Sequence, residues 1–135
     1  MYKTHTVFFK DYNGQPDYEM YSSTCVPDAE RQFNRDHPDR ELIFIGLMTK
    51  GNALRAFGNI IIQRECGMLC YQSVMREEQT GYVETFTFWA ENNEDAIKMA
   101  SSELKQRQQI RSHEGGFGLE YEGLWLLYPY HIVSY

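Results

Sequence analysis

At 135 residues the chain fits one domain of the usual ~100–150 residues, and a formal net charge of −6 excludes a sequence-independent grip on nucleic-acid phosphates. Hydrophobic residues at 42% and charged residues at 24% exclude general disorder, and no apolar run approaches the ~20 residues of a membrane span. Three cysteines (Cys25, Cys66, Cys70) and an N-terminus that reads as a strand rather than a leader predict free thiols in a reducing cytoplasm.

Residues 5–10, His-Thr-Val-Phe-Phe-Lys, predict a first strand, because β-branched and aromatic side chains suit a pleated surface. Asn13-Gly14 predicts a hairpin turn, since both residue types tolerate positive φ. Residues 18–23 return as a second strand. Pro27 suits the first helical position, where its missing N–H is not needed. Asp28 and Glu30 favour the positive end of the helix dipole, and Ala29 and Phe33 share one helical face. Asp36-His37-Pro38-Asp39 ends that helix, and residues 42–47 then predict a buried strand.

The plan recurs. Offset by 67 positions without a gap, residues 5–36 lie on residues 72–103, placing Val7 on Val74, Gly14 on Gly81, Asp28 on Asp95 and Ala29 on Ala96. Each identity falls where a strand–strand–helix unit has a physical requirement. In the second copy Asn93 is the expected N-cap. Its helix is expected from Glu94 to Ile110, with an apolar stripe of Ala96, Ile97, Ala100 and Leu104. A flexible Gly-rich loop, residues 112–118, should precede a strand over 119–127, with Pro129 breaking it and residues 131–135 adding an edge strand. Between the copies, Asn52–Phe57 reads as one helical turn and Ile60-Ile61-Ile62 as a buried strand. The expected fold class is therefore α+β: two diverged ββαβ repeats (residues 4–48 and 69–128), a structured connector over 49–68, and a mainly antiparallel sheet with helices on one face. Together they should form a single domain over 1–135.

Chemistry-bearing motifs are sparse. Cys66 and Cys70 stand four apart with no second pair and only scattered His5, His37, His113 and His131, so no metal site and no cofactor are expected. A Cys70–His113 or Cys70–His131 nucleophile pair is the enzymatic alternative, needing only proximity in space. The glycines of Gly115-Gly116-Phe117-Gly118 follow a helix and carry no lysine, the reverse of a phosphate-binding loop. Phe117, an apolar ring within that loop, reads instead as a partner contact.

The residue pattern over 7–45 resembles the small strand–strand–helix–strand proteins of phage and plasmid accessory genes. The match covers strand, Gly turn, strand, Pro-Asp-Ala-Glu-Arg-Gln-Phe, His-Pro and apolar strand. Some of those proteins inhibit host defences, among them anti-CRISPR and anti-restriction proteins. The resemblance transfers no functional residue.

Charge is uneven along the chain. Residues 1–67 carry a net −1 and residues 68–135 a net −5. A non-enzymatic protein-binding module is thus the expected function, docking on a basic partner such as a nucleic-acid-binding protein, with no direct nucleic-acid or membrane binding. The candidate contacts are Glu77, Glu78, Glu84, Trp89, His113, Phe117 and Trp125. Aromatics at 15% of the chain serve strands and interfaces alike. The rivals are a small enzyme or ligand-binding domain with a pocket between the repeats, and a homodimer formed through a strand edge.

Overall fold

The structure, a computed structural model, describes residues 2–46 and 50–134. Among the described residues, seven strands form two antiparallel sheets and three helices pack on them, placing the chain in the α+β class. Sheet one contains β1 (Lys3–Lys10), β2 (Pro16–Ser23) and β3 (Leu42–Gly46) in the order β2-β1-β3. Sheet two contains β4 (Leu69–Glu77), β5 (Val83–Ala90), β6 (Leu119–Leu126) and β7 (His131–Ser134) in the order β5-β4-β6-β7. Helices α1 (Val26–Asp36) and α3 (Asn93–Glu114) each follow the hairpin of their own repeat, and α2 (Lys50–Glu65) joins the repeats.

The 67-residue offset carries over to the hairpin and the helix start, although β4 begins one residue before the carried-forward β1 and pairs with β5 one residue out of the first repeat's register (Lys3 faces Ser23, whereas Cys70 faces Trp89). β2 carried forward spans 83–90, which is β5, and Val26 carried forward is Asn93, the first residue of α3. In each sheet the first strand of the repeat is central, flanked by its hairpin partner and by the strand after the helix. Gly14 (φ 76°) and Gly81 (φ 72°) hold the equivalent left-handed turn positions, where a Cβ would be strained. Register is lost after the helix: Leu42 carried forward falls at 109, whereas β6 begins at Leu119. α3 has grown to 22 residues against 11 in α1, and it ends at Gly115 in the left-handed conformation, with the Gly116 N–H donating to Arg111 O at 2.8 Å.

Both helix starts differ from the expected caps. The cap of α3 is Asn92, whose side-chain oxygen accepts from Asp95 N at 2.8 Å, while Asn93 Oδ1 accepts from the Tyr71 hydroxyl at 2.7 Å. Asn92 lies one residue earlier because its extended backbone (φ −157°) aims the side chain back at the first turn, and Asn93 is already helical. In α1 the cap residue is Cys25, with no side-chain cap bond, and Pro27 is the second helical residue. The Val26 N–H, which would otherwise be an orphan of the first turn, donates to Gln72 Oε1 of β4 at 3.2 Å. The second repeat thus caps the helix of the first.

The connector is a correction to the expected strand over Ile60–Ile62. Lys50–Glu65 is one continuous helix. Ala53, Phe57 and Ile60 recur at helical spacing on its packed side, with Ala53 and Ile60 buried, whereas Ile62 is 57% exposed. Three consecutive β-branched residues favour a strand locally, but burying Ala53 and Ile60 together requires the 3.6 period, and packing decides. Phe57 stacks on Phe44 (4.9 Å between centroids) and Phe8 (6.4 Å) and meets Tyr128 edge-on (5.1 Å).

Successive residues of β1 face opposite ways, so the Phe9–Phe33 contact (5.1 Å) puts α1 on one face of sheet one, and the Phe8–Phe57 contact puts α2 on the other. α3 packs Ala96 and Ala100 against Tyr71, Phe88, Leu124 and Leu126 of sheet two. Ile97 of the expected stripe is exposed. The opposite face of sheet two meets the first repeat: Cys70 and Leu127 join the core of sheet one, and Val74, Val83 and Trp125 enclose Cys25 at the start of α1. No helix among the described residues is long and apolar enough to cross a membrane.

Candidate functional site

Four of the seven sequence candidates converge around one side chain that the sequence reading did not select. Arg111, in the last turns of α3, donates through Nη1 to Glu77 Oε2 at the end of β4 and through Nη2 to Glu84 Oε2 of β5 at 2.7 Å. A planar guanidinium suits such a fork because its donors diverge in fixed directions. One turn earlier, Arg107 pairs with Glu103 at 3.0 Å, approaches Glu84 at 3.9 Å and lies over the Phe86 ring.

Glu77 also accepts from the Thr80 hydroxyl at 2.5 Å across the hairpin turn. The Thr80 hydroxyl first, and then the Arg111 guanidinium, hold its carboxyl below the usual carboxylate range. Glu77 and Glu84, both candidate partner contacts in the sequence, are therefore matched within the chain. Glu78 is exposed and, with Glu114 at the end of α3, has no ion-pair partner among the described residues.

Phe117 stands at the centre of this surface, 48% exposed. Its loop is tied down rather than loose. Besides the Gly116–Arg111 bond, the Glu78 N–H donates to Gly118 O at 3.1 Å and Arg111 Nη1 donates to Phe117 O at 3.4 Å. Phe117 lines a shallow depression with Gln108, Ser112 and Gly118, and Arg111 and Gly116 border both it and a second one bounded by Glu84, Ile110 and Glu114. Ile110 and His113 lie exposed in the last turns of α3. The signal that was available for Arg111 is its spacing: Arg107 and Arg111, four apart, form a cationic stripe matching two carboxylates across a hairpin.

Replacing Arg111 with Ala should lower the melting temperature near neutral pH, since it leaves Glu77 and Glu84 facing each other without a cation. A carboxyl depressed in the fold contributes stability above its ordinary range and loses it as pH falls through the folded value. The difference between Arg111→Ala and the parent should therefore shrink toward pH 3. Thermal melts at both pH values check this, and an equal deficit at each would mean the ion pairs contribute nothing.

The two tryptophans lie elsewhere. Trp125 is buried: its ring lies across Gly123, where an added Cβ would sit 2.5 Å from the ring, and it packs with Cys25, Val74 and Val83. Trp89 is half-buried and forms one wall of a cleft between the repeats. That cleft, of about 370 Å³, is lined by Val26, Phe44, Ile45, Ile60, Cys70 and Leu127, with Asn59 and Thr87 at its exposed margin.

The enzymatic alternative finds little here. Burial pushes the Cys70 thiol up to about 12, away from the thiolate a nucleophile needs, and no hydrogen bond joins it to His113 or His131. His131 instead contacts Pro129 O at 3.1 Å. Cys25 is buried with its thiol also raised, and Cys66 is exposed after α2. Among the described residues no group of three or more His, Cys, Asp or Glu side chains is placed to hold a metal ion. Comparison of the chain with protein-family models, curated proteins and solved structures finds no match.

Proposed function

We propose that this chain is a non-enzymatic protein-binding module whose contact surface is the Phe117 end of sheet two. The observation that carries the reading is a large apolar ring held outward on a loop fixed by hydrogen bonds to α3 and to the β4–β5 turn. Binding energy at interfaces concentrates in such anchors, surrounded by charged groups that set orientation and exclude mismatched partners. A pre-fixed loop also gives up little conformational entropy on docking.

The partner of choice is basic. Arg111 and Arg107 answer Glu77, Glu84 and Glu103, leaving Glu78 and Glu114 to complement an incoming cation. The net −5 of residues 68–135 points the same way. A finer form of the reading, an accessory or inhibitory protein of a mobile genetic element, is supported by the strand–strand–helix–strand resemblance alone.

The test is affinity capture of the tagged chain from lysate of the organism that carries the gene, with Phe117→Ala and Glu78→Lys beside the parent. A stoichiometric partner retained by the parent and lost by both variants is expected, while Ile132→Ala on β7 keeps it. Absence of a stoichiometric partner, or capture indifferent to both substitutions, rejects the module or its surface.

A further inference from the structure

We infer that the chain forms a two-fold symmetric dimer in which α2 of one copy packs antiparallel against α2 of a second copy. This contact is separate from the Phe117 surface and does not depend on it.

α2 is apolar on more than the side it buries. Ala53, Phe57 and Ile60 pack on sheet one, while Gly51, Leu54, Gly58 and Ile61 recur at i, i+3, i+7 and i+10 along a neighbouring flank. Leu54 is exposed, and nothing lies within 4 Å of a Cβ added at Gly51 or Gly58. None of the four is charged. A surface helix ordinarily shows one apolar stripe, and a second one calls for a second cover.

The flank faces away from sheet two, because Ala56 and Asn59, which line the cleft toward Trp89, lie on the opposite side of the helix. It therefore overhangs the side of β2, the strand of sheet one farthest from β3. Tyr18 and Met20 of β2 pair with Phe8 and Thr6, so they share the face of the sheet on which α2 lies, and both are exposed. The helix layer on this face is thus half filled. Phe57 of α2 covers Phe44 of β3 and Phe8 of β1, and among the described residues no helix lies over β2 on this side.

The pattern of the flank identifies what fills the layer. Small and large residues alternate along it as Gly, Leu, Gly and Ile. A second copy running antiparallel, about a two-fold axis level with Ala56, sets each Leu54 over Gly58 of the other copy and each Ile61 over Gly51. Every large side chain then meets a glycine, which leaves it room and lets the backbones approach closely. An isologous contact demands this self-complementarity, whereas a foreign helix does not. The second α2 also lies against Tyr18 and Met20, and symmetry repeats that cover in the other copy. The contact is small, centred on one helix of 16 residues, so dissociation in the micromolar range is expected.

Sedimentation equilibrium of the full chain between roughly 1 and 300 μM should show the mass rise from 15.9 kDa toward twice that value and no further. Gly58→Leu should weaken the dimer by about tenfold or more, because its side chain takes the space that Leu54 of the other copy enters. In the monomer that side chain meets no neighbouring atom and improves on glycine within a helix, so the fold is kept. Leu54→Glu should weaken the dimer as strongly, and it serves alone if Gly58→Leu fails to fold by circular dichroism. Phe117→Ala and Ile132→Lys, the latter on the β7 edge, should dimerise as the parent does. A monomer throughout the range, growth beyond a dimer, or association unchanged or tightened in either folded α2 variant overturns the inference. Loss of the dimer in folded Ile132→Lys would place the contact at the strand edge and overturn it equally.

Discussion

Phe33→Ala should destabilise the protein by about 3–5 kcal/mol, the usual cost of emptying a buried aromatic position. Phe33 is fully buried on α1, with its ring 5.1 Å from Phe9 and 5.3 Å from His37. It joins sheet one to the helix whose first N–H is held by Gln72 of sheet two. Loss of its contacts should therefore loosen both repeats rather than one. Against a total stability of ~5–15 kcal/mol, the variant should unfold at markedly lower denaturant with an unchanged m-value. Equilibrium unfolding followed by far-ultraviolet circular dichroism checks this. A loss under about 1 kcal/mol would mean that α1 is not close-packed between the repeats. Ile62→Ala, on the exposed side of α2, is the control and should stay within about 0.5 kcal/mol of the parent.

That contrast marks what the residues reveal on their own. Hairpin glycines, strand alternation and the start of α3 are local requirements, so the offset locates β5 and brings the start of α3 to within one residue of the expected cap. The helical state of Ile60–Ile62 depends on Phe57 finding Phe8, Phe44 and Tyr128, partners separated by up to about 70 positions and invisible to local propensity. Trp125 is a candidate contact in the sequence because alternation assigns a face but not what covers it; Gly123 and the start of α1 supply the cover. Glu77, Glu78, Glu84 and Phe117 were legible as a group of unusual residues. The organiser, Arg111, sits 34 residues from Glu77 in sequence and only a hydrogen bond away in space. A pocket between the repeats follows from the duplication, but its lining residues carry no shared signature, since six separate segments build it.

The repeat itself supplies the second large prediction. His5 occupies the position equivalent to Gln72, and both are fully buried near the start of α1. His5 Nδ1 lies 2.7 Å from Ser23 Oγ and 3.2 Å from Lys3 O, and Nε2 has no partner among the described residues. Burial lowers its pKa from 6.5, with the nearby Lys3 charge acting in the same direction and the Lys3 carbonyl and Asp28 opposing. A histidine depressed in the fold is neutral when folded and takes up a proton more readily when unfolded. Stability is therefore intact above the unfolded value near 6.5 and declines as pH falls below it, until the folded value is passed. The decline is limited to about 1.4 kcal/mol per pH unit for one proton. His5→Gln, which installs the residue the second repeat uses at this position, should remove most of that slope while leaving the fold intact. Denaturation midpoints of parent and variant between pH 7 and 5 decide the matter. Parallel curves would assign the acid sensitivity to the carboxylates, and a steeper variant would contradict the burial of a neutral imidazole.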